Sequence, residues 1–249
     1  MAILLTSMPP TEGMDGQRQL RLYTAALHLF VRSLRATGNT SPLVALVSDE
    51  TPEEWLASLR EYGIWQRHVQ VLTSVGTLVH YTRMVTKLHL WNMTEYDAVA
   101  YYDVDQIFMR NPAECFAQCG NAPFCAVQDP GMKRIYFNAG FLLLRPNTKE
   151  YRRLLSLKHL ADDRVLAEQD MLNTVYAGNW KALPARCSYM PKDARKFARF
   201  LPALYRARLS NAVNIHEKFW QLRMGGFDKL PAMNHSYWPW NQLIERVVQ

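Results

Sequence analysis

Tyr96-Asp97-Ala98-Val99-Ala100-Tyr101-Tyr102-Asp103-Val104-Asp105 constrains what this 249-residue chain can fold into more than any other stretch. Residues 98–102 form an unbroken apolar run bounded by acids, short enough for a strand buried on both faces. A strand of that kind ends at the rim of a parallel sheet, where open α/β folds hold their ligands. There Asp103 and Asp105 stand two positions apart, a spacing that in extended chain points both side chains to one face. Converging carboxylates repel each other unless they share a cation, and a hard divalent ion that accepts oxygen ligands meets that need. Asp also caps turns at strand ends, so the pair alone leaves a metal site and a solvated turn both open.

The length suits one large α/β domain, and 49% hydrophobic with 20% charged residues describes a chain with a sizeable core. A net charge of +7 suits an anionic partner: nucleic acid, a phosphorylated small molecule or an acidic membrane surface. Cys115, Cys119, Cys125 and Cys187 show no Cys-x-x-Cys zinc spacing and are expected as buried free thiols in a reducing compartment. Residues 1–7 lack the basic start and apolar length of a signal peptide, and no window approaches a spanning helix. The expected location is cytoplasmic.

Along the chain, strands are predicted at residues 3–6, 42–47, 68–72 and 98–102. Helices are predicted over 17–37, from Thr51 as N-cap with Pro52 in the first turn, and over 83–92. The order β-α-β-α-β-α-β marks a wound α/β sheet, and no Gly-x-Gly-x-x-Gly dinucleotide fingerprint accompanies it. A short helix near residues 111–114, strands at 124–127 and 137–144, helices at 148–160 and 167–176 and a short strand at 212–215 follow. The tail reads as a basic amphipathic stretch at 193–208 and a last helix within 231–249. No linker, repeat or low-complexity segment divides the chain.

Taken in order, several segments resemble the glycogenin-like retaining glycosyltransferases, glycosyltransferase family 8. They are Thr86-Lys87-Leu88-His89-Leu90-Trp91, Tyr101-Tyr102-Asp103-Val104-Asp105, Phe137-Asn138-Ala139-Gly140, Glu168-Gln169-Asp170-Met171-Leu172-Asn173 and a late His. The resemblance implies an α/β, single GT-A-type domain with a Rossmann-like mixed central sheet flanked by helices. Residues 1–105 would form the nucleotide-binding half and 106–249 the acceptor- and sugar-binding half. It also implies a UDP-sugar donor and manganese, with magnesium as the alternative ion.

Carried over residue by residue, the resemblance makes Asp103, Asp105 and His216 the metal ligands. An imidazole among oxygen ligands shifts preference toward manganese. Lys87 would face the donor phosphates and sugar, joined by Arg83 four positions earlier. Asn138, Ala139 and Gly140 would line the sugar, Asp129 would accept from its hydroxyls, and Leu5, Thr6, Ser7 and Tyr23 would hold the base. Val104 lies between the two acids of the donor site, and Gln169 faces the reactive carbon. Gln169 with Lys87 suits front-face displacement, whereas Glu168 or Asp170 would be the nucleophile of a double displacement.

The chain departs from the family where His-x-x-Gly and Lys-Pro-Trp are usual, since it reads His216-Glu217-Lys218-Phe219-Trp220. Lys218 takes the phosphate-binding role, and His235 is the rival third ligand. Ala198 stands where glycogenin carries its acceptor tyrosine, which points to an external acceptor: a saccharide or a protein- or lipid-linked glycan. Peripheral membrane contact through the basic stretch and a homodimer remain open. Two other classes compete. One is a haloacid-dehalogenase-like magnesium-dependent phosphatase, suggested by Asp-x-Asp; the other is a basic nucleic-acid-binding domain, suggested by charge.

Overall fold

The computed structural model describes residues 1–5, 16–76, 81–132, 135–190, 208 and 210–216. A seven-stranded sheet runs in the order β3-β2-β1-β4-β7-β6-β8. Its strands are β1 (Ala2–Leu5), β2 (Val44–Val47), β3 (Trp65–His68), β4 (Val99–Tyr102), β6 (Phe124–Gln128), β7 (Phe137–Leu144) and β8 (Lys181–Leu183). β1, β2, β3 and β4 are parallel, whereas β7 runs antiparallel to both β4 and β6. A separate antiparallel pair joins β5 (Gln106–Phe108) to β9 (Asn214–His216).

Strand alternation sorts the core into two layers. Ala100 and Tyr102 face one side with Phe141 and Leu143, and meet Leu27, Phe30 and Leu34 of α1 (Gly16–Ala36) and Trp55 and Leu59 of α2 (Glu53–Glu61). Val99 and Tyr101 face the other, against Val85, Leu88 and Trp91 of a 3-10 helix (Met84–Asn92). Leu154 of α4 (Thr148–Ser156) and Met171 and Leu172 of α5 (Glu168–Val175) complete that side. All four residues of β4 are buried, as the continuous apolar run requires.

Several expectations need correction. The third strand lies at Trp65–His68 and not at 68–72, because Val69 and Leu72 spend their apolar side chains packing against the second layer from a loop. Thr51 does not cap α2: Pro52 precedes the helix, and the Thr51 hydroxyl accepts the Ser48 N–H at 2.8 Å. The segment at 148–160 splits into α4, capped by Asn147 accepting from Glu150 N–H, and a 3-10 turn at Lys158–Ala161.

The cysteine expectation is overturned outright. Cys115, on α3 (Ala113–Cys119), is bonded to Cys187, and Cys119 to Cys125, leaving no free cysteine. Reducing surroundings were inferred from free thiols, so that inference loses its premise. Among the described residues no helix is long and apolar enough to cross a membrane. Thr6, Ser7, Lys218, His235, Ala198 and most of the basic stretch lie outside the described residues.

Candidate functional site

The site forms at the carboxyl end of β4, where the sheet changes from parallel to antiparallel. Asp103 leaves the strand on the face of Tyr101, whose hydroxyl donates to Asp103 Oδ1. The Asp103 N–H donates to the Gly140 carbonyl at 2.8 Å, and Gln106 Nε2 donates to the same oxygen at 2.5 Å. One carbonyl of β7 therefore fixes both the end of β4 and the start of β5.

β7 is irregular at this point. Its register against β6 shifts between the pairs Ala126–Leu142 and Gln128–Phe137. Phe137 and Ala139 consequently face the same layer as Leu142 and Leu144, a change of parity that falls around Gly140. The absent side chain matters there. A Cβ on Gly140 would stand 2.2 Å from His216 Cε1 and 2.8 Å from Asp103 Oδ2. Glycine is what leaves room for imidazole and carboxylate to approach the strand.

His216 arrives from 111 positions beyond Asp105 by strand pairing: β9 lays His216 opposite Gln106 on β5. Its N–H donates to Tyr189 O at 2.9 Å, which pins the strand from its other side. His216 Nε2 sits 3.2 Å from Asp105 Oδ1 and 3.8 Å from Asp103 Oδ2. Ligand atoms of Asp103, Asp105 and His216 all lie within 4.8 Å of one another. Two carboxylates and one imidazole, gathered around a position that a methyl group would block, fit a divalent ion. Burial alone would lower the His216 pKa, but Asp105 and then Asp103 outweigh it, and the value stands above that of an ordinary histidine.

Beside this triad lies a buried ion cluster. Lys87, on the 3-10 helix, places Nζ 2.8 Å from Glu168 Oε1, 3.1 Å from Asp103 Oδ1 and 3.3 Å from the Ala139 carbonyl. Desolvation would strip its proton, but Asp103 and Glu168 reverse that and hold the ammonium above the usual lysine range. Glu168 is pushed up by burial, which outweighs the attraction of Lys87. One cation shared by two carboxylates cannot neutralise both fully.

Gln169 is held at both ends of its amide: Oε1 accepts from Ala139 N–H at 2.8 Å, and Nε2 reaches Asp129 Oδ2 at 3.5 Å. Asp129 Oδ2 also accepts from Asn138 Nδ2 at 3.1 Å, so Asp129, Asn138, Ala139, Gly140 and Gln169 form one network. Lys87, Asp103, Asp105, Glu168 and His216 join it through Ala139 and Gly140.

Other predicted residues are placed elsewhere. Asp170 accepts from the Tyr136 hydroxyl at 2.6 Å and from Leu166 N–H at 3.0 Å, which engages its carboxylate at the start of α5. Arg83 pairs with Glu50. The segment winds as a 3-10 helix, in which residues four apart are about 120° apart and do not share a face. Val104 is buried in the first core layer. Leu5 closes β1 opposite Val47. Tyr23 packs on Trp55 with ring centroids 5.8 Å apart, and its phenol is raised by burial and by Asp105 and Asp103, so it lies within electrostatic reach of the acids. Sequence reasoning missed Gln106, Asn173, which clamps the Phe137 N–H and carbonyl, and the Tyr101 hydroxyl. For Tyr101 the signal was present, since strand alternation already set it beside Asp103.

The architecture has known counterparts. The galactosyltransferase LgtC, solved with donor and acceptor sugar analogs, superposes with a TM-score of 0.63 at 20% identity, covering 100% of this chain and 95% of that one. The fold is therefore the GT-A fold of glycosyltransferases. In sequence, Glycogenin-1 of Caenorhabditis elegans is 28% identical over 170 residues, 66% of this chain and 38% of that protein. Galactinol synthase 1 of Solanum lycopersicum is 28% identical over 169 residues, 57% of this chain and 53% of that protein. The matched region thus spans about half or less of these curated relatives. No family model matches the chain. In sequence the chain is similar to glycogenin and galactinol synthases, and its fold is the GT-A fold.

Proposed function

We propose that this chain is a metal-dependent retaining glycosyltransferase that moves a hexose or pentose from a UDP-sugar to an external acceptor. The observation that carries the reading is the convergence of Asp103, Asp105 and His216 around Gly140, beside the buried Lys87. Asp103, Asp105 and His216 would hold the ion, which when bound supplies positive charge against the departing diphosphate. Lys87 adds a fixed ammonium next to Asp103, in surroundings dry enough for that charge to count. Asp129 and Asn138 offer a carboxylate and an amide to sugar hydroxyls, and Gln169 is held toward them.

In front-face displacement the bond from the anomeric carbon to the diphosphate breaks as the acceptor oxygen adds on the same face. The acceptor proton passes to the leaving phosphate oxygen. Lys87 engages one Glu168 oxygen. The other, Oε2, is buried without a hydrogen-bond partner, and this supports double displacement through Glu168 as the second reading. A GT-A fold does not favour the phosphatase or nucleic-acid alternatives.

UDP release from a panel of UDP-sugars (glucose, galactose, xylose, glucuronic acid and N-acetylglucosamine) with manganese, and again with EDTA, tests the proposal. Asp103→Ala and Asp105→Ala should each cost on the order of 10³-fold or more in turnover. Undiminished release from either variant would end it.

A further inference from the structure

We propose that Asn214 is a positioning residue for His216, orienting its imidazole through a buried hydrogen-bond bridge to Nδ1. The inference rests on the reading of Asp103, Asp105 and His216 as metal ligands. Alternation along β9 places Asn214 and His216 on one face, with Ile215 on the other. Across the pair, Gln106 stands opposite His216 and Phe108 opposite Asn214. Gln106, Asn214 and His216 therefore share a face of the small sheet, with Gln106 and Asn214 as diagonal neighbours.

That face is buried and underbonded. Asn214 has no exposed surface, and neither its Oδ1 nor its Nδ2 has a hydrogen-bond partner. Gln106 Oε1 and His216 Nδ1 are buried without partners as well. Each such group carries an uncompensated desolvation cost, and an apolar side chain opposite Phe108 would avoid it. Retaining an amide there asks for a reason outside stability.

The imidazole supplies one. With Nε2 turned to Asp105 and Asp103, a neutral ligating ring carries its proton on Nδ1. Ligating histidines donate that second N–H to a carbonyl, carboxylate or water, which fixes tautomer and ring orientation. One ordered water accepting from His216 Nδ1 and donating to Asn214 Oδ1 and Gln106 Oε1 makes the three bonds usual for a buried water. Asn214 then acts on the ion only through His216.

The test is manganese affinity of the metal-free protein by titration calorimetry, with melting temperature in EDTA as the control on the fold. Asn214→Leu should bind manganese about 10–100-fold more weakly. It should melt in EDTA close to the parent, because losing the bridged Oδ1 is offset by losing the unpaired Nδ2. Asn214→Ser, which keeps an oxygen for the water, should bind more tightly than Asn214→Leu. Unchanged affinity in Asn214→Leu, or equal weakness in Asn214→Ser, overturns the proposal. A lower melting temperature in EDTA for both Asn214→Leu and Asn214→Ala assigns Asn214 a structural role and overturns it too. A parent that binds no manganese sinks the metal reading itself, whereas a binding parent with an indifferent Leu variant sinks only this inference.

Discussion

The central strands β4 and β7 and the small β5–β9 pair are equally buried, yet they are held by different forces. Around β4, apolar side chains cover both faces of the sheet, and burial at about 25 cal/mol per Å² stabilises the strand wherever it lies. The β5–β9 pair has only three residues on each strand, and one face carries Gln106, Asn214 and His216. It is tied in by specific links. The Gly140 carbonyl takes Gln106, Tyr189 bonds both Asn214 O and His216 N, and Arg186 O accepts from Val213 N–H. The Tyr189 and Arg186 links lie at the 3-10 turn Ala185–Ser188, which Cys187 fastens to α3 through Cys115. Apolar burial makes the platform, whereas polar and covalent ties bring His216 to Asp103 and Asp105.

The largest effect expected from breaking the second kind of tie comes from the disulfide across a sequence separation of 72 residues. Cross-linking a loop of that size restricts the unfolded chain by about 4 kcal/mol in the chain-entropy model. The bridge between Cys119 and Cys125, separated by 6 residues, restricts far less. Replacing Cys115 and Cys187 by Ala should therefore lower the urea midpoint well below that of the Cys119, Cys125 double variant. Equal losses would mean that the long bridge is not the main covalent restraint on this half.

A smaller and more local break is Gly140→Ala. The added Cβ meets His216 Cε1 at 2.2 Å, so the imidazole must move away from Asp103 and Asp105. Overpacking of this kind costs about 1–3 kcal/mol in stability. The platform should survive that loss while manganese affinity drops by about tenfold or more. Titration and thermal melting on the same variant separate the two effects. Unchanged affinity would show that the strand relaxes and that the bare backbone at 140 is not needed.

How much of this was legible follows the same division. The run at residues 98–102 announced a doubly buried strand, and its alternation announced where Asp103 and Asp105 would point. Apolar periodicity over residues 17–37 placed α1, and Gly38, with φ of 75°, ends it as expected. Features that depend on distant pairing were not readable. β5 is too short to signal itself, and the short strand read at 212–215 lies at Asn214–His216, its bounds set by pairing with β5. The cysteine spacing said nothing of which thiols the fold would bring together. Trp65-Gln66-Arg67-His68 carries no apolar run because it is an edge strand, whereas the more apolar stretch after it is loop. His216 was found by resemblance in the order of motifs; geometry then explained it through its pairing with Gln106.

The finest contrast lies within β4, between adjacent tyrosines that are both fully buried. The Tyr101 hydroxyl donates to Asp103, whereas the Tyr102 hydroxyl has no hydrogen-bond partner among the apolar first layer. Removing one partner of a buried bond to a charged group costs about 1.5–3 kcal/mol, whereas removing an unpaired buried hydroxyl costs nothing and relieves its desolvation. Tyr101→Phe should thus lower stability by roughly that amount and free Asp103 to turn, weakening manganese binding. Tyr102→Phe should leave affinity unchanged and stability level or slightly higher. Urea unfolding and manganese titration of the two variants, which differ by one position and the same oxygen atom, measure how far a side chain's value depends on which face of the strand it occupies. If the two tyrosines gave equal losses, the polar site and the apolar core would not be separable at the end of β4, and the division of forces drawn between the two sheets would fail there first.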